Sequence, residues 1–131
     1  MAYVVAKRAT LLMPSGPGEE GLHLYCAVTN PCDQNQCLLV TFSSIKEGRF
    51  HDPACVVDVG EHPFVTKPSF IEYRLSRIIS CEHVAKCVAG WVFTPKVDVS
   101  DDLLLRLQTG IEASDFTPML VYRYFDLNKH R

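Results

Sequence analysis

A proline-containing segment from His62 to Ile79 constrains the fold more than any other part of the sequence. Pro63 and Pro68 lack a backbone donor and push the residues before them into extended geometry, so the first half of the segment cannot be helical. The second half, 69–79, is rich in β-branched and aromatic residues, which are typical of strands. The sequence therefore predicts a β-strand over 69–79.

Side chains two residues apart share one face of this predicted strand. Glu72 and Arg74 then lie on the same face together with Ser76, whereas Tyr73 lies on the opposite face. An acidic and a basic side chain placed in this way form either a functional pair or an ordinary solvated surface. The sequence alone leaves both interpretations open.

Runs of apolar and β-branched residues predict five more strands, each bounded by turn-forming residues. They are 2–13, 22–29, 37–44, 54–59 and 87–93. A polar turn over 14–21 separates the first two. The run at 37–44 is almost entirely apolar, which is typical of a strand buried on both faces in the middle of a sheet. Short strands at this spacing are typical of a small barrel or a strongly curved sheet.

The hydrophobic period changes near the C-terminus. Ser100 is a good helix N-cap, and two aspartates follow it where the helix dipole favours negative charge. Apolar residues then recur at helical spacing from Leu103 to Ile111. The stretch 114–125 fits either a second helix or another strand. The expected fold class is therefore α+β and mainly β: an SH3-like curved antiparallel sheet or barrel with one or two C-terminal helices.

The size and composition of the chain fit one globular domain. With 131 residues, of which 47% are hydrophobic and 21% charged, the chain can bury a core without disulfides or metal. We expect a single domain over 1–131, with a barrel core over 2–93 and a helical region over 100–127. The formal net charge of -2 provides no general attraction to a polyanion, so any nucleic-acid site must be a local cleft.

Neither the cysteines nor the N-terminus is typical of a secreted or membrane protein. The six cysteines lack the close pairs of structural zinc sites, so we expect reduced thiols and neither a metal nor a cofactor. An apolar run precedes Lys7 and Arg8, which is the reverse of a secretory signal. No segment approaches the roughly 20 apolar residues of a membrane-spanning helix. The expected location is the cytoplasm, with no membrane partner.

No phosphate loop, nucleophile elbow or metalloprotease motif occurs, so any chemistry must come from dispersed residues. The candidates lie in strands and turns: His23, Ser43, Ser44, His62, Glu72 and Arg74. Structural roles are equally available to them, because turn histidines and strand-ending serines commonly bond to local backbone. Together they suit cleavage of RNA by its own 2′-hydroxyl, which needs a base, an acid and a cation near the phosphate, but no metal.

Three stretches resemble the MazF, PemK and Kid toxins of bacterial toxin–antitoxin pairs. The stretch 21–30 has the outline of an early strand in that family, with His23 where the family has an arginine. The aliphatic run that ends in the serine pair 43–44 is similar to the family's next strand. The stretch 69–77 resembles a later, arginine-bearing strand, and a C-terminal helix closes the family fold as 100–112 would here.

The resemblance implies a hydrolase that cleaves single-stranded RNA without a metal and leaves a 2′,3′-cyclic phosphate. It also implies a homodimer and a cognate antitoxin protein that holds the enzyme inactive. The implied roles are His23 or Glu72 as the base, His62 as a candidate acid, Arg74 as the phosphate clamp, Ser43 or Ser44 as a ligand of a phosphate oxygen, and Tyr73 and Arg77 as further substrate contacts. On the later strand, Glu72 and Arg74 exchange the acidic and basic positions of the family.

Two other functions fit the same sequence. A non-catalytic barrel module would present an aromatic groove to nucleic acid or a peptide, using Phe64, Phe70, Tyr73 and Trp91. An interaction subunit would instead use the C-terminal helices. Incubation with RNA in the absence of metal separates the three functions, because they predict cleavage, binding without cleavage, and no binding.

Overall fold

The fold is organised around one central strand. The computed structural model describes residues 2–14 and 21–131. Over these residues the fold is α+β, as the sequence predicts, with three α-helices and a seven-stranded antiparallel sheet that does not close into a barrel. The strands are β1 (Thr10–Pro14), β2 (Leu22–Ala27), β3 (Gln36–Ser44), β4 (Val56–Val57), β5 (Ser69–Ile71), β6 (Arg77–Ser80) and β7 (Thr94–Lys96). The helices are α1 (Cys81–Ala89), α2 (Asp101–Ala113) and α3 (Met119–Asn128).

Strand β3 is central because different strands cover its two halves. The sheet order is β4-β5-β3-β2-β1-β7, and β6 pairs with β3 outside this path. Along one edge of β3, β6 pairs with 36–39 and β5 pairs with 42–44. Residues 37–42 are all buried, which confirms the prediction of a strand enclosed in the middle of the sheet.

The prediction of one continuous strand over 69–79 is wrong. The chain forms β5, then a 3₁₀ turn at Tyr73–Leu75, then β6. Both strands follow the same edge of β3, but the register places the five residues 72–76 opposite only two residues, 40–41, so the chain bulges. Ser76 stabilises this bulge, since its backbone N–H and its hydroxyl both donate to the first carbonyl of the turn, at 3.1 and 2.8 Å. The predicted alternation of faces is therefore interrupted.

The prediction of a strand over 87–93 is also wrong, because helix α1 occupies its first part. The helix-start signal lies upstream at Ser80, whose hydroxyl accepts a hydrogen bond from the backbone N–H of His83 at 3.2 Å. The helix ends shortly before Trp91, which adopts a left-handed conformation with φ of 63°. The range 2–93 thus contains a helix as well as strands, and β7 follows it.

Two other predicted strands are shorter than expected. Only the end of 2–13 belongs to β1, because Arg8 has a φ of 84° that interrupts the extended chain ahead of the strand. Only two residues of 54–59 pair, and they form β4 at one end of the sheet. Most of the predicted turn over 14–21 lies outside the described residues.

The C-terminal region forms two helices, so the open choice for 114–125 is decided in favour of helix α3. Ser100 caps α2 as predicted, and its hydroxyl accepts from the backbone N–H of Leu103 at 3.1 Å. The apolar face of α2 belongs to the same buried cluster as the sheet residues. Tyr73 joins the two layers, because its hydroxyl donates to the Leu107 carbonyl at 2.9 Å and its ring lies against Gly110 of α2.

Other features concern the cysteines, metal sites and the membrane. All six cysteines are free thiols, and Cys26, Cys32, Cys37 and Cys55 are buried. Within the described part of the chain, no group of histidine, cysteine and acidic side chains is arranged to hold a metal ion. The helices of the described residues are too short or too polar to cross a membrane.

Candidate functional site

A pocket of about 530 Å³, which we call the main pocket, opens where β2 and β3 separate. The pairing of these strands ends at Tyr25 and Thr41. His23 and Ser43 each lie two residues beyond this last pair, and both line the main pocket. The pocket contains five of the eight predicted site residues: His23, Ser43, Ser44, Glu72 and Arg74. The structure therefore brings together side chains from β2, β3 and the 3₁₀ turn.

Glu72 is the centre of a hydrogen-bonded network in the main pocket. Its Oε1 accepts from the Ser43 hydroxyl at 2.9 Å, and its Oε2 lies 2.6 Å from Nη2 of Arg74. The Glu72 side chain is only 17% exposed, whereas that of Arg74 is 62% exposed. The backbone N–H of Glu72 donates to the Thr41 carbonyl at 2.9 Å, which fixes the carboxylate beside β3. One nitrogen of the Arg74 guanidinium therefore contacts the carboxylate, and the exposed remainder of the side chain is accessible to a ligand.

The described residues that line the main pocket carry an excess of positive charge. Lys46 and Arg49, in the loop after β3, line it together with Arg74, and Glu72 is its only lining carboxylate among the described residues. Within the described residues, neither Lys46 nor Arg49 forms an ion pair with a carboxylate. This local charge contrasts with the net charge of -2 of the whole chain. A concave site with three cations and one anion attracts an anionic ligand such as a phosphate.

His23 lies on the β2 wall of the main pocket. It is half-buried and is held in register opposite Met13 of β1. Its chain neighbours Leu22 and Leu24 also line the pocket. Histidine is the residue that enzymes use most often as a general acid or base.

His62 does not line the main pocket. It is buried, with 2% of its surface exposed, and both of its ring nitrogens bond to backbone. Nδ1 accepts from the N–H of Phe64 at 3.1 Å, so the proton lies on Nε2, which donates to the Val97 carbonyl at 2.8 Å. His62 therefore has a structural role: it fixes the loop that carries Phe64 and Val65 into the pocket wall.

Tyr73 and Arg77 also lie away from the main pocket. Tyr73 is completely buried, and burial raises the pKa of its phenol. Arg77 lies on β6, with its guanidinium carbon 6.0 Å from the centre of the Tyr25 ring. Arg77 lies after the bulge, where it pairs with Leu39, and it does not line the main pocket.

Phenylalanine rings form much of the apolar wall of the main pocket. They are Phe42, Phe50, Phe64 and Phe70. Phe50 is 76% exposed, and the ammonium group of Lys96 lies 4.6 Å from the centre of the Phe64 ring. Of the four residues suggested for an aromatic groove, Phe64 and Phe70 line this pocket, whereas Tyr73 and Trp91 do not.

Lys46, Arg49 and Phe50 also line the pocket, although they were not among the predicted site residues; they lie in one loop directly after the serine pair. The sequence did contain a signal for these residues. A loop with basic and aromatic residues follows the predicted central strand directly, so it starts at the edge of the sheet where Ser43 and Ser44 lie. In comparisons with known proteins, no family model matches the chain, and no curated protein matches it either.

Proposed function

We propose that the protein is a metal-independent endoribonuclease that cleaves single-stranded RNA in the main pocket. One observation carries the proposal: a histidine, three serines, a glutamate and three cationic residues from separate segments line one concave site. These are the groups that attack by the RNA's own 2′-hydroxyl requires. No nucleophile from the protein is needed, because the nucleophile belongs to the substrate.

In the proposed reaction a base takes the proton of the 2′-hydroxyl, and the 2′-oxygen forms a bond to phosphorus. The bond from phosphorus to the 5′-oxygen breaks, and that oxygen receives a proton. The products are a 2′,3′-cyclic phosphate and a 5′-hydroxyl. Arg74, Lys46 and Arg49 neutralise the phosphate oxygens as charge develops on them.

We assign the role of base to His23. Both oxygens of Glu72 already accept a hydrogen bond, one from Ser43 and one from Arg74, so removing a proton from the substrate would disrupt this network. We assign Glu72 a positioning role, in which it orients the Ser43 hydroxyl and the Arg74 guanidinium. Lys46 replaces His62 as the proposed proton donor, since the buried His62 is bonded at both nitrogens.

Incubation of the pure protein with single-stranded RNA and a chelator tests the proposal. We expect discrete fragments that end in a cyclic phosphate. Since general acid–base catalysis contributes about 10²- to 10⁴-fold, His23→Ala should slow cleavage by at least about 10²-fold. Arg74→Ala should abolish detectable cleavage, because it removes the phosphate clamp.

Arg123→Ala is the matched control, because this exposed arginine on α3 does not line the main pocket. Its cleavage rate should equal that of the wild type, and circular dichroism should show the same fold in all three variants. Unchanged cleavage by both pocket variants would contradict the proposal. A requirement for a divalent cation would contradict it as well.

A non-catalytic RNA-binding module is the second candidate. The two contacts of Glu72 favour this function. Its carboxylate holds the Arg74 guanidinium and the Ser43 hydroxyl in place, and these two groups can bind a phosphate without taking part in a reaction. If the protein only binds RNA, the RNA stays intact in the same assay. The wild-type protein then shifts the electrophoretic mobility of the RNA, and the Arg74→Ala variant does not.

The remaining expectations from the toxin resemblance belong to this proposal. We propose that the enzyme works in the cytoplasm as a homodimer, and that an antitoxin protein inhibits it by filling the main pocket. An acidic segment of the antitoxin would compete with RNA for Lys46, Arg49 and Arg74.

A further inference from the structure

A second cavity of about 250 Å³ adjoins the main pocket and shares part of its wall. Glu72 and Arg74 line both spaces, and so do the rings of Phe50 and Phe70. A ligand whose phosphate lies against Arg74 would therefore have its neighbouring group at the entrance of the second cavity. We call this second space the aromatic cavity.

Aromatic rings from three segments line the aromatic cavity. Phe116, from the loop after α2, contacts Phe50 edge to face with the ring centres 5.4 Å apart. His51 lies against Phe70 with the ring centres 5.5 Å apart. Phe50 is 76% exposed and Phe116 is 44% exposed, so both rings have free surface. A flat aromatic ligand can stack on such rings, and bases of single-stranded nucleic acids do so regardless of sequence.

Asp52 gives the aromatic cavity a polar group that can select a ligand. The residue is only 5% exposed, its Oδ1 accepts from the N–H of Ala54 at 3.0 Å, and its Oδ2 accepts from the Ser114 hydroxyl. Among the described residues, no basic side chain forms an ion pair with it. Burying a carboxylate without a cation is costly, and each of its oxygens retains a lone pair for a further donor.

We propose that the aromatic cavity is a nucleobase subsite, which stacks the base next to the bound phosphate and accepts a hydrogen bond from its amino group through Asp52. This inference rests on the proposed function, since it takes the ligand of the main pocket to be RNA. Adenine, cytosine and guanine carry an exocyclic amino group, and uracil does not. The one ring N–H of uracil that is free to donate lies between two carbonyl oxygens, which a carboxylate repels, so the subsite favours the first three bases over uracil.

The probes for this proposal are ribose 5-phosphate and the four nucleoside 5′-monophosphates, titrated into the whole 131-residue chain and followed by NMR. Ribose 5-phosphate measures the main pocket alone, because it lacks a base. Since stacking on a protein ring contributes about 1–3 kcal/mol per base, the monophosphates of adenosine, cytidine and guanosine should bind about tenfold more tightly than ribose 5-phosphate. Uridine monophosphate should bind less tightly than these three.

Variants separate stacking from hydrogen bonding. Phe116→Ala should reduce the gain that a base provides and leave the affinity for ribose 5-phosphate unchanged, because Phe116 lines only the aromatic cavity. Phe50→Ala should reduce the same gain. Asp52→Asn keeps an acceptor for the Ala54 N–H, and it should remove the discrimination against uridine monophosphate. Trp91→Ala is the control for loss of an aromatic ring, because Trp91 is 89% exposed and lines neither space.

Equal affinity for ribose 5-phosphate and for all four nucleotides would overturn the subsite and leave the proposed function intact. A gain in affinity that survives both phenylalanine variants would also overturn it. If ribose 5-phosphate does not bind and RNA is not cleaved, the proposed function fails; the subsite then fails as well unless the nucleotides still bind through Phe50.

Discussion

The two ends of strand β3 have opposite surroundings. At the first end, 36–39, β6 covers one edge, and the β2 pairing reaches Leu39 on the other. Cys37, Leu38 and Leu39 are completely buried there. At the second end, 42–44, β5 covers one edge, and the other opens onto the main pocket, where Ser43 is half-buried and Ser44 exposed. We call these the closed end and the open end.

This difference shows how one strand can serve both the core and a site. The closed end fixes the position of the strand through burial, so the open end can carry polar groups at a defined place. The divergence of β2 leaves one edge of 42–44 open, and the bulge that follows β5 on the other edge begins with Glu72, which accepts a hydrogen bond from Ser43. Mutations at the closed end should therefore act on stability, and mutations at the open end on binding.

The largest effect is expected at the closed end. Leu38→Ala removes a completely buried side chain and should lower the free energy of unfolding by about 2–5 kcal/mol. Ser44→Ala, at the open end of the same strand, should change it by less than about 0.5 kcal/mol, because the side chain is exposed. Urea denaturation measures both. Similar losses for the two variants would remove the distinction between the ends.

A smaller effect is expected at the junction between the ends, where Tyr73 anchors the bulge to α2. A Cβ added at Gly110 would lie 1.8 Å from the Tyr73 hydroxyl oxygen, so Gly110→Ala must displace the ring. We expect a loss of about 1–3 kcal/mol in stability, together with weaker RNA binding, because Glu72 and Arg74 flank Tyr73.

Gly90→Ala is the matched control for this change, since a Cβ there would meet only the Lys86 carbonyl, at 3.4 Å. Urea denaturation and RNA-binding titrations should show little change for Gly90→Ala. Gly110→Ala with full stability and full RNA affinity would show that the bulge does not position the open end.

The sequence predicts those parts of the fold that depend on local chemistry. The α+β class, the buried strand β3 and the Ser100 cap all follow from apolar patterns and capping residues. The bulge in 69–79 could not be predicted, because it arises from the register that two separate strands adopt along β3. Helix α1 was missed because its apolar, β-branched residues match a strand, while its cap at Ser80 ends the preceding strand.

The candidate site was predicted in part for the same reason. His23, Ser43 and Glu72 lie on strands or at their ends, where sequence patterns locate them well, and the structure places all three in the main pocket. His62 has a suggestive sequence context, but its burial and its backbone bonds depend on the tertiary structure. Lys46 and Arg49 lie in a loop, which no periodic pattern locates. Their catalytic or binding roles are proposals.

An NMR titration with a short RNA that is methylated at every 2′-oxygen tests the central claim most directly. The modified RNA cannot attack its own phosphate, so binding is observed without cleavage. We expect the largest amide shifts at the open end, at His23, Ser43, Ser44, Arg49 and Arg74, and small shifts at 36–39 and along β6. Shifts that concentrate on β6 or α3, or no shifts at all with RNA in excess, would contradict the assignment of the main pocket as an RNA site.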